Sequence, residues 1–130
     1  MRYFERLDTW ESKGPVYLFI NEESRADETF LRTGLMSELA QETKGAMFLS
    51  EHRYYGESKP FVNITTENLR FLSSRQALAD VAGLLKQIKS SPEFNSSKVV
   101  VVGGSYGGNL AAWMRLIVHL FWQKPISTRA

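Results

Sequence analysis

The sequence predicts an α/β protein in which helices flank a mostly parallel sheet. Two observations carry this. Three compact apolar runs of strand length are each followed by a segment with apolar residues at helical spacing, and a glycine-flanked serine stands directly behind the third run. A β-α-β-α-β-α series of this kind closes most simply into parallel strands with crossover helices.

Taken in order, Met1 to Trp10 is too short to read firmly, and a small hairpin edge is the expectation for it. Val16 to Ile20 (VYLFI) is the first buried strand, introduced by Gly14-Pro15 and followed by acidic loop residues. Thr33 to Thr43 places Leu35, Met36, Leu39 and Ala40 on one helical face, and Gly45 ends that segment before the AMFLS strand. Ser73 and Gln76 have capping-box spacing ahead of Ala77, Leu78, Val81, Ala82, Leu85 and Ile88. That helix is expected to run to about Ser90, with Pro92 closing it. The four valines Val99 to Val102 read as a strand buried on both faces, and a helix is expected from about Tyr106. No repeat or internal boundary interrupts the series, so one domain is the ceiling for 130 residues that are 43% hydrophobic and 23% charged.

The run VVVVGGSYGG sets Ser105 at the centre of a G-x-S-x-G pentapeptide on a strand-to-helix turn. Such a turn is sharp, and glycines at 103, 104, 107 and 108 suit its strained dihedrals and close backbone approaches. It would lift the Ser105 hydroxyl clear of the sheet and aim the first helical N–H groups at whatever the serine attacks. A bland alternative is a serine that merely caps the next helix. Two other glycine-rich sites fit worse. Asn109 and Leu110 follow the second glycine pair where a P-loop needs Lys and Ser or Thr, and Ser105 or Tyr106 falls where a dinucleotide fingerprint needs glycine.

Composition narrows the field further. A net charge of +2, with both signs interspersed, forms no basic stripe, so nucleic acid is not the expected partner. No stretch approaches a membrane span, and the charged start MRYFERLD is unlike a signal peptide. The absence of cysteine excludes a disulfide scaffold, a thiolate zinc site and a cysteine nucleophile. Asn63-Ile64-Thr65 and Asn95-Ser96-Ser97 match the glycosylation sequon, which makes Asn63 and Asn95 candidate acceptors in a secretory protein.

Four segments taken together resemble a known family: RYF at Arg2 to Phe4, EHRYYGESKPF at Glu51 to Phe61, TENLRFLSSRQALAD at Thr66 to Asp80, and GGSYGGNLAAWMR at Gly103 to Arg115. They look like the serine carboxypeptidase family that contains prolyl carboxypeptidase, dipeptidyl peptidase II and thymus-specific serine protease. The resemblance implies the first half of an α/β-hydrolase sheet through its nucleophile elbow. It also implies Ser105 as nucleophile, a lysosomal or secreted setting, and a peptide substrate carrying proline near one end. No cofactor or metal belongs to that mechanism. In it Ser105 attacks the scissile carbonyl, a histidine takes its proton, an aspartate orients the histidine, and backbone N–H groups hold the oxyanion.

Part of that machinery is expected here. Tyr106 would supply the first oxyanion N–H, and the loop after Val16 to Ile20 the second. That loop departs from the glycine-rich family sequence: Asn21-Glu22-Glu23-Ser24 restricts the backbone and brings negative charge toward a developing anion. Glu23 matches the family's acidic position and is a candidate contact for a substrate amine, against the simpler reading of a solvated loop residue. His119 lies 14 residues beyond Ser105. Along a helix that is about 21 Å, too far for a base. His52 would lie two strand spacings, roughly 10 Å, from the serine strand, and a structural place in its turn is expected instead. Arg53 and Glu57 are expected to anchor that turn by ion pairing, with Tyr54 and Tyr55 packed beneath it. Asp80 falls on a helix, and Asp8 and Asp27 lie in segments with no nearby histidine; the implied triad order is Ser, Asp, His, so both partners are expected beyond these residues.

The resemblance fades after Arg115, which divides the chain into a peptidase-like part, residues 1–115, and a divergent tail, residues 116–130, expected to reflect truncation, splicing or an erroneous gene model. A half-sheet would leave its last strand uncovered and Trp113, Phe121 and Trp122 in an apolar patch, predicting poor solubility. Two readings stand beside the peptidase: an esterase or lipase-like hydrolase sharing only the elbow, and a non-catalytic relative that binds a partner.

Overall fold

The computed structural model describes residues 1–121, with side chains through residue 117. Four strands form one sheet: β1 (Tyr3–Arg6), β2 (Val16–Ile20), β3 (Ala46–Ser50) and β4 (Val99–Val102), in the order β1-β3-β2-β4. β2 runs parallel to both β3 and β4, whereas β1 is antiparallel to β3. The opening segment is therefore an edge strand, as its position suggested, but no hairpin. Its partner lies more than 40 positions away, with Tyr3 opposite Ser50.

Three helices flank the sheet: α1 (Leu35–Thr43) and α2 (Ser74–Ser90) lie in the crossovers from β2 to β3 and from β3 to β4, and α3 (Ser105–Phe121) follows β4. Strand alternation sorts the core onto two faces. Val16, Leu18 and Ile20 of β2 join Ala46 and Phe48 of β3 against Leu78, Val81, Leu85 and Ile88 of α2 and Leu110 and Met114 of α3. On the other face Tyr17, Met47 and Leu49 pack with Met36 and Ala40 of α1. The result is a three-layer α/β arrangement, with α2 and α3 on one side of the sheet and α1 on the other.

Local signals set the helix ends. The Ser73 hydroxyl accepts from the Gln76 N–H at 3.2 Å, so the serine caps α2 as expected, while the Gln76 side chain turns away to accept from Arg53. α1 starts at Leu35, two residues later than the spacing suggested, because Gly34 at φ 91° bends the chain first. Lys44, not Gly45, takes the left-handed position at its C-terminus. Gly45 is instead wanted for space, since a Cβ there would stand 2.6 Å from the Tyr17 ring.

β4 differs most from expectation. Its valines are not buried on both faces: Val100 is 40% exposed, and the other three are intermediate. Among the described residues β4 pairs with β2 alone, so one edge of the strand has no neighbour. Alongside it, Trp113 is 41% and Leu116 67% exposed. These two line a shallow groove of about 280 Å³ with Ser74, Arg75, Leu78 and Ile117. The side chain of Phe121, expected in the same patch, and Trp122 lie outside the described residues. No helix among the described residues is long and apolar enough to cross a membrane.

Candidate active site

Because β2, β3 and β4 are parallel, their C-terminal ends emerge on one side of the sheet. There the loop from Asn21, the turn from Glu51 and the elbow at Ser105 come together, as strand ends of a parallel sheet commonly do to build a site.

Ser105 is the first residue of α3 and has φ 49°, a left-handed conformation that costs a non-glycine residue about 1–3 kcal/mol. Two of the surrounding glycines make the turn possible. A Cβ on Gly103 would lie 2.3 Å from the Gly107 carbonyl oxygen, and one on Gly107 would lie 2.4 Å from the Ile20 carbonyl oxygen. Gly108 is tight but tolerable at 3.1 Å, while Gly104 faces open space, so the fourth glycine has no steric task. The helix therefore approaches the end of β2 until only a hydrogen fits between them.

As second residue of the helix, Tyr106 has a backbone N–H without an intrahelical acceptor, and it points with the helix N-terminus. In the facing loop the Asn21 N–H is already committed to the Ser50 carbonyl at 3.2 Å, and the Ser24 N–H to the Glu22 carbonyl at 2.8 Å. The Glu22 nitrogen stands 3.4 Å from where a Gly107 Cβ would be, and no hydrogen bond among the described residues takes up its N–H. Asn21 braces the loop through its side chain, which donates to the Ser24 carbonyl at 2.8 Å. Glu23 is exposed beside the elbow. Burial pushes the Tyr106 phenol above its ordinary pKa, and the Glu23 charge pushes it further the same way.

His52 is buried, and it crosses to the elbow: Nδ1 is 2.7 Å from the Arg53 carbonyl oxygen and Nε2 is 3.1 Å from the Tyr106 hydroxyl. Its expected structural place in the turn is real, yet it reaches further than the turn. His119 is on α3, and its side chain lies outside the described ones. Each aspartate has a structural partner. Asp8 takes both contacts from Arg6, Asp27 accepts from the N–H and hydroxyl of Thr29, and Asp80 pairs with Arg53 at 2.6 and 2.7 Å.

Arg53 thus anchors the turn by ion pairing as expected, but Glu57 does not. Its backbone N–H, not its carboxylate, makes the contact, donating to Glu51 at 2.9 Å. Glu51 is what the sequence reading missed. It is fully buried and accepts from the Arg2 guanidinium at 2.6 Å, the Ala26 N–H at 3.0 Å and the Ser58 hydroxyl at 2.8 Å, besides Glu57. Burial alone would raise its pKa, but Arg2 and the other three donors outweigh that and bring it from 4.5 to about 2. Tyr54 is buried and donates to the Asn68 carbonyl, while Tyr55 stands edge-on to His52 with ring centroids 5.2 Å apart.

The mostly parallel sheet and its helices thus hold a serine with left-handed φ between β4 and α3, with backbone N–H groups gathered beside it. The chain belongs to the family described as Serine carboxypeptidase S28, whose model matches residues 1–119. It is 41% identical over 120 residues to the lysosomal Pro-X carboxypeptidase of Homo sapiens, covering 88% of this chain and 24% of that protein. It is 40% identical over 121 residues to the prolyl carboxy peptidase like protein 5 of Caenorhabditis elegans, covering 89% and 24%. A probable extracellular serine carboxypeptidase of Arthroderma benhamiae is 34% identical over 131 residues, covering 94% and 18%. The chain thus spans about a quarter of the length of the curated relatives it matches.

Proposed function

We propose that this chain is the nucleophile-bearing part of a serine-type exopeptidase with an α/β-hydrolase fold, acting on peptides that carry proline near one end. The observation that carries the reading is the Ser105 backbone at φ 49° between two glycines that sterics require. A helix cap needs no such strain, and strain retained at a reactive side chain is the mark of a functional turn. Ser105 attacks the scissile carbonyl, and the N–H groups of Tyr106 and Glu22 receive the developing oxyanion.

No free base for the Ser105 proton stands among the described side chains. Among the described side chains the Nε2 of His52 is taken by Tyr106 and every aspartate is engaged. The proposed peptidase part is residues 1–115, with a diverging tail at 116–130. Glu23, exposed at the mouth of the elbow, is the proposed contact for a substrate amine. The name of the human relative, a lysosomal Pro-X carboxypeptidase, supports the proline preference and a lysosomal or secreted setting. Asn63 and Asn95 are both exposed, as glycan acceptors would be in that setting.

A fluorophosphonate probe followed by peptide mapping tests the reading. The expected result is slow, selective modification of Ser105 that disappears in Ser105→Ala, with no turnover of proline-containing dipeptide substrates by the isolated chain. Modification spread over other serines, or none at Ser105, would overturn the nucleophile. Turnover that depends on Ser105 would overturn the claim that the base lies elsewhere.

A further inference from the structure

Once Ser105 is read as the nucleophile, one buried histidine beside it is left without a chemical task, and its contacts assign it another. We propose that His52 is a positioning residue for the elbow: it grips the Tyr106 phenol and so fixes the backbone N–H that faces the oxyanion, a role that rests on the Ser105 reading.

The ring's tautomer follows from its neighbours. Nδ1 faces the Arg53 carbonyl at 2.7 Å, a group that only accepts, so Nδ1 carries the hydrogen. In the neutral ring Nε2 then accepts, and the Tyr106 hydroxyl at 3.1 Å donates to it. This bond joins positions 54 residues apart. It spends the lone pair that a general base would need, which is why His52 orients and does not abstract a proton.

A strained residue persists only where its surroundings over-determine it. Gly103 and Gly107 restrict the backbone on either side of Ser105. Among the described residues the contact to His52 is the hydrogen bond that holds the Tyr106 side chain. His52 is itself held. The carbonyl that orients it belongs to Arg53, whose guanidinium is clamped by Asp80 at 2.6 and 2.7 Å and donates to the Phe71 carbonyl at 3.1 Å. An unbroken series of polar contacts therefore runs from Asp80 on α2 through Arg53, His52 and Tyr106 to the elbow. Three of the motifs singled out in the sequence, EHRYYGESKPF, TENLRFLSSRQALAD and GGSYGGNLAAWMR, meet in it.

Nuclear magnetic resonance of the 130-residue chain tests this. His52 is expected as the Nδ1–H tautomer, with an Nε2 resonance that moves in Tyr106→Phe while the Nδ1 hydrogen stays in place. The Gly108 N–H closes the turn onto the Gly104 carbonyl at 3.0 Å. In Tyr106→Phe its hydrogen exchange is expected to quicken about tenfold, the worth of one hydrogen bond, and the amides of residues 105–107 to lose order. His52→Phe should match it, the double variant should be no worse than either, and His52→Gln, which keeps an acceptor near the Nε2 position, should restore the wild-type values. An Nε2–H tautomer, or unchanged exchange and order in Tyr106→Phe, overturns the proposal. Tyr106→Phe removes a single oxygen, so the answer stands even if His52→Phe fails to fold. Failure of the Ser105 reading shows differently, as an ordered elbow whose serine takes no probe.

Discussion

The Arg2 guanidinium lies 2.6 Å from the Glu51 carboxylate, tying the residue before β1 to the residue after β3. The carboxylate is fully buried, whereas the arginine is 29% exposed. Around this pair the Ala26 loop and the turn at Glu57 and Ser58 take the remaining lone pairs of Glu51. Gly56 lets the turn close over it, since a Cβ there would stand 2.1 Å from Oε2.

Glu51→Gln keeps the shape and removes the charge, leaving Arg2 without its partner, and is expected to cost about 3 kcal/mol. Because the folded pKa is depressed from 4.5 to about 2, the contribution is present above pH 4.5 and is lost as pH falls toward 2. Asp8 and Asp27 are shifted the same way, so the comparison must be between wild type and variant. Urea unfolding at a series of pH values should give two curves about 3 kcal/mol apart at pH 6 that converge below pH 3. A gap unchanged at low pH would show that the ionised carboxylate is not what stabilises the turn.

The glycines of the elbow should separate into two kinds. Gly103→Ala and Gly107→Ala each force a Cβ against a backbone oxygen, at 2.3 and 2.4 Å, and are expected to cost at least about 2 kcal/mol. Gly104→Ala meets open space and should stay within about 0.5 kcal/mol of wild type. Thermal melts of the three variants decide it, and equal effects at 103 and 104 would contradict the steric account.

Strain at Ser105 predicts a stability that rises when the serine is lost in the right way. Ser105→Gly accepts φ 49° without penalty and should be about 1 kcal/mol more stable than Ser105→Ala, which keeps the strain. Both should be blind to the fluorophosphonate probe. Equal melting of the two would remove the argument that the turn is strained.

Elements whose causes are local are legible in the sequence: the compact apolar run Val16 to Ile20, the Ser73 cap and the glycine-serine turn each act within a few residues. What escaped depends on distant partners. Four valines read as a doubly buried strand because composition reports hydrophobicity, not neighbours, and β4 pairs with β2 alone among the described residues. Glu51 follows an apolar run and carries no local sign of burial in the sequence. Two of its four donors lie 49 and 25 positions away, and those separations leave no periodic trace. His52 and Tyr106 each stand in a motif of the sequence, but the bond between them spans 54 positions and only the folded sheet brings it within reach. The charge of Glu57 suggests an ion pair, while the fold uses its backbone.

The contact of Gly107 with the Ile20 carbonyl makes α3 and β2 a joint without play. A helix separated from a strand by one hydrogen atom transmits any push on its first turn directly to the sheet, and interiors packed to that density shift as blocks rather than bend. The serine therefore rides on a close-packed joint between helix and sheet.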